Sequence, residues 1–196
     1  GAPPAAIATP ARAGDKLVRV VGGHPRDGEN EIYIELLSAL RLAEKRIAIT
    51  MAYFVPDAPM MRALESAARR GVTVEMILPG FSDSSLVLHA GRSYYRRLLD
   101  AGVKIYERKD ALLHAKTAVI DGAWSMVGSA NIDWRSFVHN DEVGAVVLGV
   151  EFARSLEALF EQDRAASTPI QPAQWARRGL GERLMEGWGR LWAYWL

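Results

Sequence analysis

Short β-branched runs alternate with stretches of helical period through the first half of the chain, and this alternation limits the fold more than any other feature. LVRVV (17–21), RIAITMAYF (46–54), VTVEMIL (72–78) and VKIYE (103–107) have strand composition. Between the first two, NEIYIELLSALRLAEK (30–45) places Ile32, Leu36, Leu37 and Leu40 on one helical stripe. A second helix is expected after Asp57, a capping residue ahead of Pro59, and ends at Gly71. A third runs from Ser84 to Ala101 and stops at Gly102. Beyond residue 110 the strands follow one another: KTAVID (116–121), WSMVG (124–128) and DEVGAVVLG (141–149), before a helix from about Val150 to Ala166. Early strands separated by helices, then consecutive strands, predict an α/β domain with one mixed β-sheet flanked by helices on both faces. The 196 residues suffice for one such domain, and no repeat of fixed period subdivides them.

The stretch LLHAKTAVIDGAWSMVGSANIDWRS (112–136) reads as two core strands, yet it carries a histidine, a lysine, a serine and an asparagine. Side chains two apart on a strand share a face, so His114 pairs with Lys116 and Ser129 with Asn131. Asp121–Gly122 is a favoured hairpin turn. A two-residue loop there sets His114 opposite Ser129. A four-residue loop, Asp121 to Trp124, sets His114 opposite Asn131 and Lys116 opposite Ser129. Both put all four side chains on one face, whereas a three- or five-residue loop breaks the parity. Converged in this way, the four suit a tetrahedral phosphate. Lys116 and Asn131 donate to anionic oxygens, and His114 attacks phosphorus or protonates a leaving oxygen. Burying a lysine without a partner is costly, which argues for a site rather than plain core. Asp121, at an odd offset and in the turn, is read as structural support, and Gly128 as a point of close backbone approach.

The net charge of +1 supplies no field for nucleic acid, and the absence of cysteine excludes disulfides and thiolate chemistry. No stretch approaches the roughly 20 apolar residues of a membrane span. The first 14 residues, GAPPAAIATPARAG, read as a linker or a cut end rather than a signal peptide, so the chain is expected to be a piece of something longer. His89 is expected on a helix surface. Arg92, Arg96 and Arg97 offer either contacts to anionic headgroups or a solvated basic face, and Tyr53 and Phe54 either line a groove or pack in the core. In the tail, Leu180, Leu184, Trp188, Leu191, Trp192 and Trp195 form one apolar stripe with Arg177, Arg183 and Arg190 off it. Such a stripe fits an interfacial membrane helix or a face packed on protein.

HAKTAVID followed by GSAN resembles the H-x-K-x4-D and G-S-x-N signature of the phospholipase D superfamily, on His114, Lys116, Asp121, Gly128, Ser129 and Asn131. YFVPD (53–57), AARRGVTVEMILPGFSD (67–83), RSYYRRLLDAGVKIYE (92–107), SANIDWRSF (129–137) and the N-x-E of Asn140 and Glu142 are similar to the bacterial cardiolipin synthase branch, in its second half. The resemblance implies a phospholipase D-type sandwich over residues 15–168, with 169–196 as an amphipathic Trp/Arg segment. It implies phosphatidyl transfer between phospholipids through a phosphohistidine, with phosphatidylglycerol as donor and acceptor and no metal or other cofactor. Two motifs meet in such enzymes. The first-half histidine is the usual nucleophile, which makes His114 the general acid and then the base. Lys116 and Asn131 hold the phosphate, Glu142 orients the histidine, and Ser129 and Tyr53 are added as substrate contacts. The implied partners are a phospholipid, a membrane surface, and an upstream homologous half or a second copy, with no nucleic acid. The implied location is the periphery of the bacterial inner membrane. The chain departs from the pattern in having one H-x-K motif, Ala52 in place of a proline, and His139 and Asp141 beside the N-x-E element. Alternatives are a phosphodiesterase or nuclease acting as a single-motif homodimer, and a non-catalytic lipid-binding half.

Overall fold

The computed structural model describes residues 14–24 and 30–191. Along the chain run β1 (Leu17–Gly23), α1 (Glu31–Leu42), β2 (Arg46–Met51), α2 (Ala58–Arg69), β3 (Thr73–Pro79), α3 (Ser85–Arg92), α4 (Tyr95–Ala101) and β4 (Lys104–Arg108). There follow β5 (Lys116–Ile120), β6 (Trp124–Gly128), α5 (Trp134–Val138), β7 (Glu142–Leu148), α6 (Val150–Ala165), β8 (Ser167–Pro169), α7 (Pro172–Ala176) and α8 (Leu180–Leu191). The eight strands form one sheet in the order β1-β7-β6-β5-β2-β3-β4-β8. The β2–β3 and β3–β4 pairs are parallel and all others antiparallel, as expected for a mixed α/β sheet.

Alternation along the central strands builds the two faces. Ile47, Ile49 and Met51 of β2 enter the main core with Leu36 and Leu40 of α1 and Met60, Met61 and Leu64 of α2. Ala48 and Ile77 point the other way and meet Phe160 of α6. Arg46 fastens that second layer, reaching Glu75 on the sheet (2.9 Å) and Glu161 on α6 (2.6 Å). The helix starts follow the sequence: the side chains of Asn30 and Asp57 accept hydrogen bonds from the backbone N–H groups of Tyr33 and Met60. The helix expected over 84–101 is instead two, broken at Ser93 and Tyr94. There the Ser93 hydroxyl donates to the Ala90 carbonyl at 2.6 Å, a local bond that competes with continuation of the helix.

The hairpin at Asp121 departs from expectation. Ile120 pairs with Trp124, so the loop has three residues. Asp121 and Gly122 both sit at positive φ, 54° and 64°, as the turn chemistry asks. Ala123 is the extra residue, and its carbonyl accepts from Gly149 N–H at 2.8 Å. The Asp121 carboxylate accepts three backbone N–H bonds, from Glu44 (2.9 Å), Lys45 (2.8 Å) and Arg46 (2.8 Å). Partial burial pushes its pKa up, but these three donors outweigh that and hold it below the ordinary carboxylate value. Asp121→Ala leaves the three donors without their acceptor and is expected to cost about 2 kcal/mol. Because the folded-state pKa is depressed, this stabilisation is present above the unfolded carboxylate pKa and is lost as pH falls through the folded value. Thermal melts from neutral to acid pH check both points. A variant as stable and as acid-sensitive as the parent would remove Asp121 from this role.

Candidate active site

The topology brings one end of each of the eight strands to the same edge of the sheet, and five of these ends matter here. The parallel strands β2 and β3 end there, at Met51 and Pro79. The antiparallel strand β5 begins there at Lys116, β6 ends there at Gly128, and β7 begins there at Glu142. Loops at the carboxyl edge of parallel strands are where α/β folds place ligand sites.

His114 lies two residues before β5, in the connecting segment, and is exposed. Its backbone carbonyl accepts from Lys116 Nζ at 2.8 Å. Lys116 is 9% exposed. Burial pushes its pKa down, opposed by the charges of Glu142 and Asp133. The β5–β6 register, continued by one pair, sets Lys116 opposite Gly128, and Gly128 pairs with Gly144 of β7. Two adjacent glycines under the lysine leave a small cavity that Lys116 and Asn131 both line. A Cβ on Gly128 would lie 2.6 Å from the Val143 carbonyl oxygen, so the neighbouring strands approach too closely for any side chain there.

The three-residue loop breaks the parity that strand alternation demanded. Ser129 does not share a face with Lys116 through the hairpin register. The polar groups meet because the chain leaves β6 after Gly128. Phe54 and Ile132 form an isolated parallel bridge, and Val55 N–H donates to Ile132 O at 2.7 Å. This bridge carries Asn131 back over the strand ends. Tyr53 N–H donates to Asn131 Oδ1 at 3.2 Å. An amide N–H can only donate, so this bond fixes the side-chain orientation and leaves the Nδ2 donors for a ligand.

Ser129 Oγ donates to Glu142 Oε2 and accepts from Val143 N–H at 3.1 Å. Asn140 Nδ2 donates to the other Glu142 oxygen at 3.3 Å. Glu142 is thus held by Ser129 and Asn140 and lies near enough to Lys116 to act on its charge. Tyr53 lines a second cavity with Pro79, Ser82 and Leu88, and its hydroxyl donates to Asp83 Oδ1 at 2.5 Å. Arg92, Arg96 and Arg97 are engaged internally, with Glu107 (2.8 Å), Asp100 (2.7 Å) and Glu65 (2.8 Å).

Sequence reasoning gave no role to Asp133, which is 4% exposed. It caps α5 by accepting from Ser136 N–H at 2.7 Å, while Ser136 Oγ accepts from Asn131 N–H at 3.0 Å. Burial pushes the Asp133 pKa up despite the cap. The Asp-x-x-Ser spacing directly after the G-S-x-N element was the available signal. Together the strand ends offer an exposed histidine, a buried ammonium bonded to that histidine's backbone carbonyl, and a fixed amide donor, residue types able to hold and transfer a phosphoryl-type group.

A domain model described as the phospholipase D-like domain of cardiolipin synthase matches residues 36–164. The probable cardiolipin synthase YwiE of Bacillus subtilis is 36% identical over 180 residues, which cover 91% of this chain and 35% of that protein. Cardiolipin synthase A of Pectobacterium carotovorum is 38% identical over 169 residues, 86% of this chain and again 35% of the relative. The chain therefore spans about a third of the length of the curated relatives it matches. Among solved structures, Nuc, a phospholipase D family member from Salmonella typhimurium, superposes with a TM-score of 0.67 at 20% identity, over 80% of this chain and 99% of that one. The phosphatidylserine synthase of Haemophilus influenzae superposes with a TM-score of 0.72 at 15% identity, over 91% of this chain and 48% of that one. The fold is thus the phospholipase D type, and by the extent of the domain match and the identity to its relatives, the chain belongs to the phospholipase D-like domain family of the cardiolipin synthases.

Proposed function

We propose that this chain is one catalytic half of a cardiolipin synthase-type phosphatidyltransferase, working at the periphery of a bacterial membrane. The observation that carries the reading is the buried Lys116 ammonium tied to the backbone carbonyl of the exposed His114 at 2.8 Å, in a chain of this family. An ammonium and an amide donor at these strand ends favour phosphoryl oxygens as charge builds on them. One imidazole cannot both attack phosphorus and protonate the group leaving from the opposite side. A second histidine, from an upstream homologous half or a second copy, completes the reaction.

In the first step the second histidine attacks phosphorus of phosphatidylglycerol. A P–N bond forms, the P–O bond to glycerol breaks, and the His114 imidazolium gives its proton to the glycerol oxygen. In the second step the hydroxyl of another phosphatidylglycerol loses its proton to His114 and attacks phosphorus. The P–N bond breaks, and cardiolipin is released with both histidines restored. Lys116 and Asn131 stay on the phosphoryl oxygens throughout. Glu142 sets the field around Lys116, and Tyr53 fixes Asn131.

Mass spectrometry of lipids after incubation with phosphatidylglycerol vesicles tests this, using the chain alone and the chain with its upstream half restored. Cardiolipin from the chain alone means that two copies build the site. Cardiolipin only from the longer protein means that the halves are complementary. Absence of product from both, or salt-sensitive cleavage of DNA instead, would overturn the reading.

A further inference from the structure

Helix α8 meets the domain with its polar and small side chains. Its buried positions are Glu186 and Gly189, and both lie on the side that packs against α3. A Cβ on Gly189 would stand 2.5 Å from the Ala90 backbone nitrogen, so only glycine allows this approach. Glu186 is clamped by Arg178 at 2.7 and 2.6 Å, and Arg190 stacks over the Tyr94 ring. Leu180, Leu184, Trp188 and Leu191 are between 62% and 76% exposed, with Met185 at 51%. With about 3.6 residues per turn, positions 180, 184, 188 and 191 fall on one stripe, opposite the docked face. An ordinary surface helix buries that stripe and exposes its charges. Trp192 and Trp195, which the pattern adds to the stripe, lie outside the described residues.

We infer that α8 is an interfacial membrane helix: it lays the Leu180–Leu184–Trp188–Leu191 stripe into the headgroup boundary of an anionic bilayer and so holds the Tyr53 cavity at the lipid surface. The choice of a bilayer as occupant rests on the phosphatidyl-transfer reading above. Two observations support it. Arg183 and Arg190 of α8 lie off the stripe and are exposed, the arrangement that lets cations reach anionic headgroups while apolar side chains insert. And α3 links the stripe to the site, since it carries α8 while its Val87, Leu88 and Gly91 line the cavity with Tyr53. Phe81 and Leu86, at the start of that segment, are exposed as well. None of the described helices is long and apolar enough to cross a membrane, so α8 lies in the plane of the surface.

The test is partitioning of the chain onto sedimenting vesicles, phosphatidylcholine alone against phosphatidylcholine mixed with phosphatidylglycerol. The parent is expected to bind the mixed vesicles, and the double variant Leu184→Glu, Trp188→Glu to bind at least tenfold more weakly. Both substituted side chains are solvent-facing, so the melting temperature serves as the folding check. The cysteine-free sequence allows a second readout that keeps the surface almost intact. An environment-sensitive dye on Leu184→Cys is expected to shift to the blue on mixed vesicles. The same dye on Lys104→Cys, at the far edge of the sheet, is not. Equal binding by parent and double variant overturns the inference. So do equal dye responses at the two positions, or a parent dimer in vesicle-free solution that the double variant dissolves. The readout is binding, not turnover, so a protein that makes cardiolipin without engaging vesicles through α8 refutes this inference and leaves the transfer reading intact.

Discussion

His114→Ala is expected to lower cardiolipin formation by the two-motif protein at least about a thousandfold, while the melting temperature moves by no more than about 2 °C. The two parts have separate causes. The imidazole is exposed, and its residue is tied into the fold through its backbone carbonyl, which any residue supplies. Removing an exposed side chain with no buried contact changes stability by about 0.5 kcal/mol or less. The chemistry has no substitute for it, because the glycerol oxygen leaves as a poor alkoxide unless a proton arrives with it. If His114 is the acid, a phosphodiester whose leaving group departs without a proton escapes part of the loss. His114→Ala then still releases about one equivalent of that group in a burst, trapping the phosphohistidine on the partner motif. A full loss of the burst would make His114 the nucleophile. Retained turnover on phosphatidylglycerol would remove it from the reaction.

How far this site was legible in the sequence depends on which physical rule carried each part. The order of β1 to β7 and of α1, α2 and α6 followed from periodicity and caps, and so did the mixed sheet, because these are local properties; α5 between β6 and β7, and the short β8 and α7, were not expected. Asn30, Asp57 and Asp121 all make backbone contacts of the kind their residue types announce. The assembly of the polar cluster did not follow from alternation. Ala123 entered the hairpin as a third loop residue, held by Gly149 just after β7, a contact 26 positions away that no local rule contains. Lys116 and Asn131 meet because a bridge between Phe54 and Ile132 pulls the chain over the strand ends. Arg97 looked free in one dimension because its partner Glu65 lies 32 positions away in sequence, whereas Arg96 has Asp100 four residues on. The same blindness hid which face of α8 would dock: a stripe of Leu and Trp argues for burial, and only the fit of Gly189 against Ala90 shows that the opposite face is the one covered.

Lys116→Met is expected to lower transfer steeply and to raise the stability of the domain. The side chain is 9% exposed, and its ammonium donates to a neutral carbonyl. Glu142 and Asp133 favour the charge, yet burial outweighs them, since the pKa is lowered from the ordinary lysine value. A lowered folded-state pKa means that the folded protein holds this proton less well than the unfolded chain does. The charged lysine therefore carries a stability penalty below the folded pKa, and the penalty fades as pH rises from the folded towards the unfolded value. Methionine keeps the unbranched stem over Gly128 and Gly144 and removes the charge, so the domain gains about 1 kcal/mol at neutral pH. Transfer falls by about a hundredfold to a thousandfold, because the ammonium opposes the negative charge that grows on the phosphoryl oxygens in the transition state. Arginine does not rescue it: its planar fork does not reproduce the compact ammonium that donates to the His114 carbonyl. Denaturation of parent and variant at neutral and at high pH, with turnover measured on the same samples, checks the linkage. The stability gain should shrink as the parent lysine loses its proton. A variant that is both inactive and less stable would mean that Lys116 holds the strand ends together, and that its charge serves the fold rather than the phosphate.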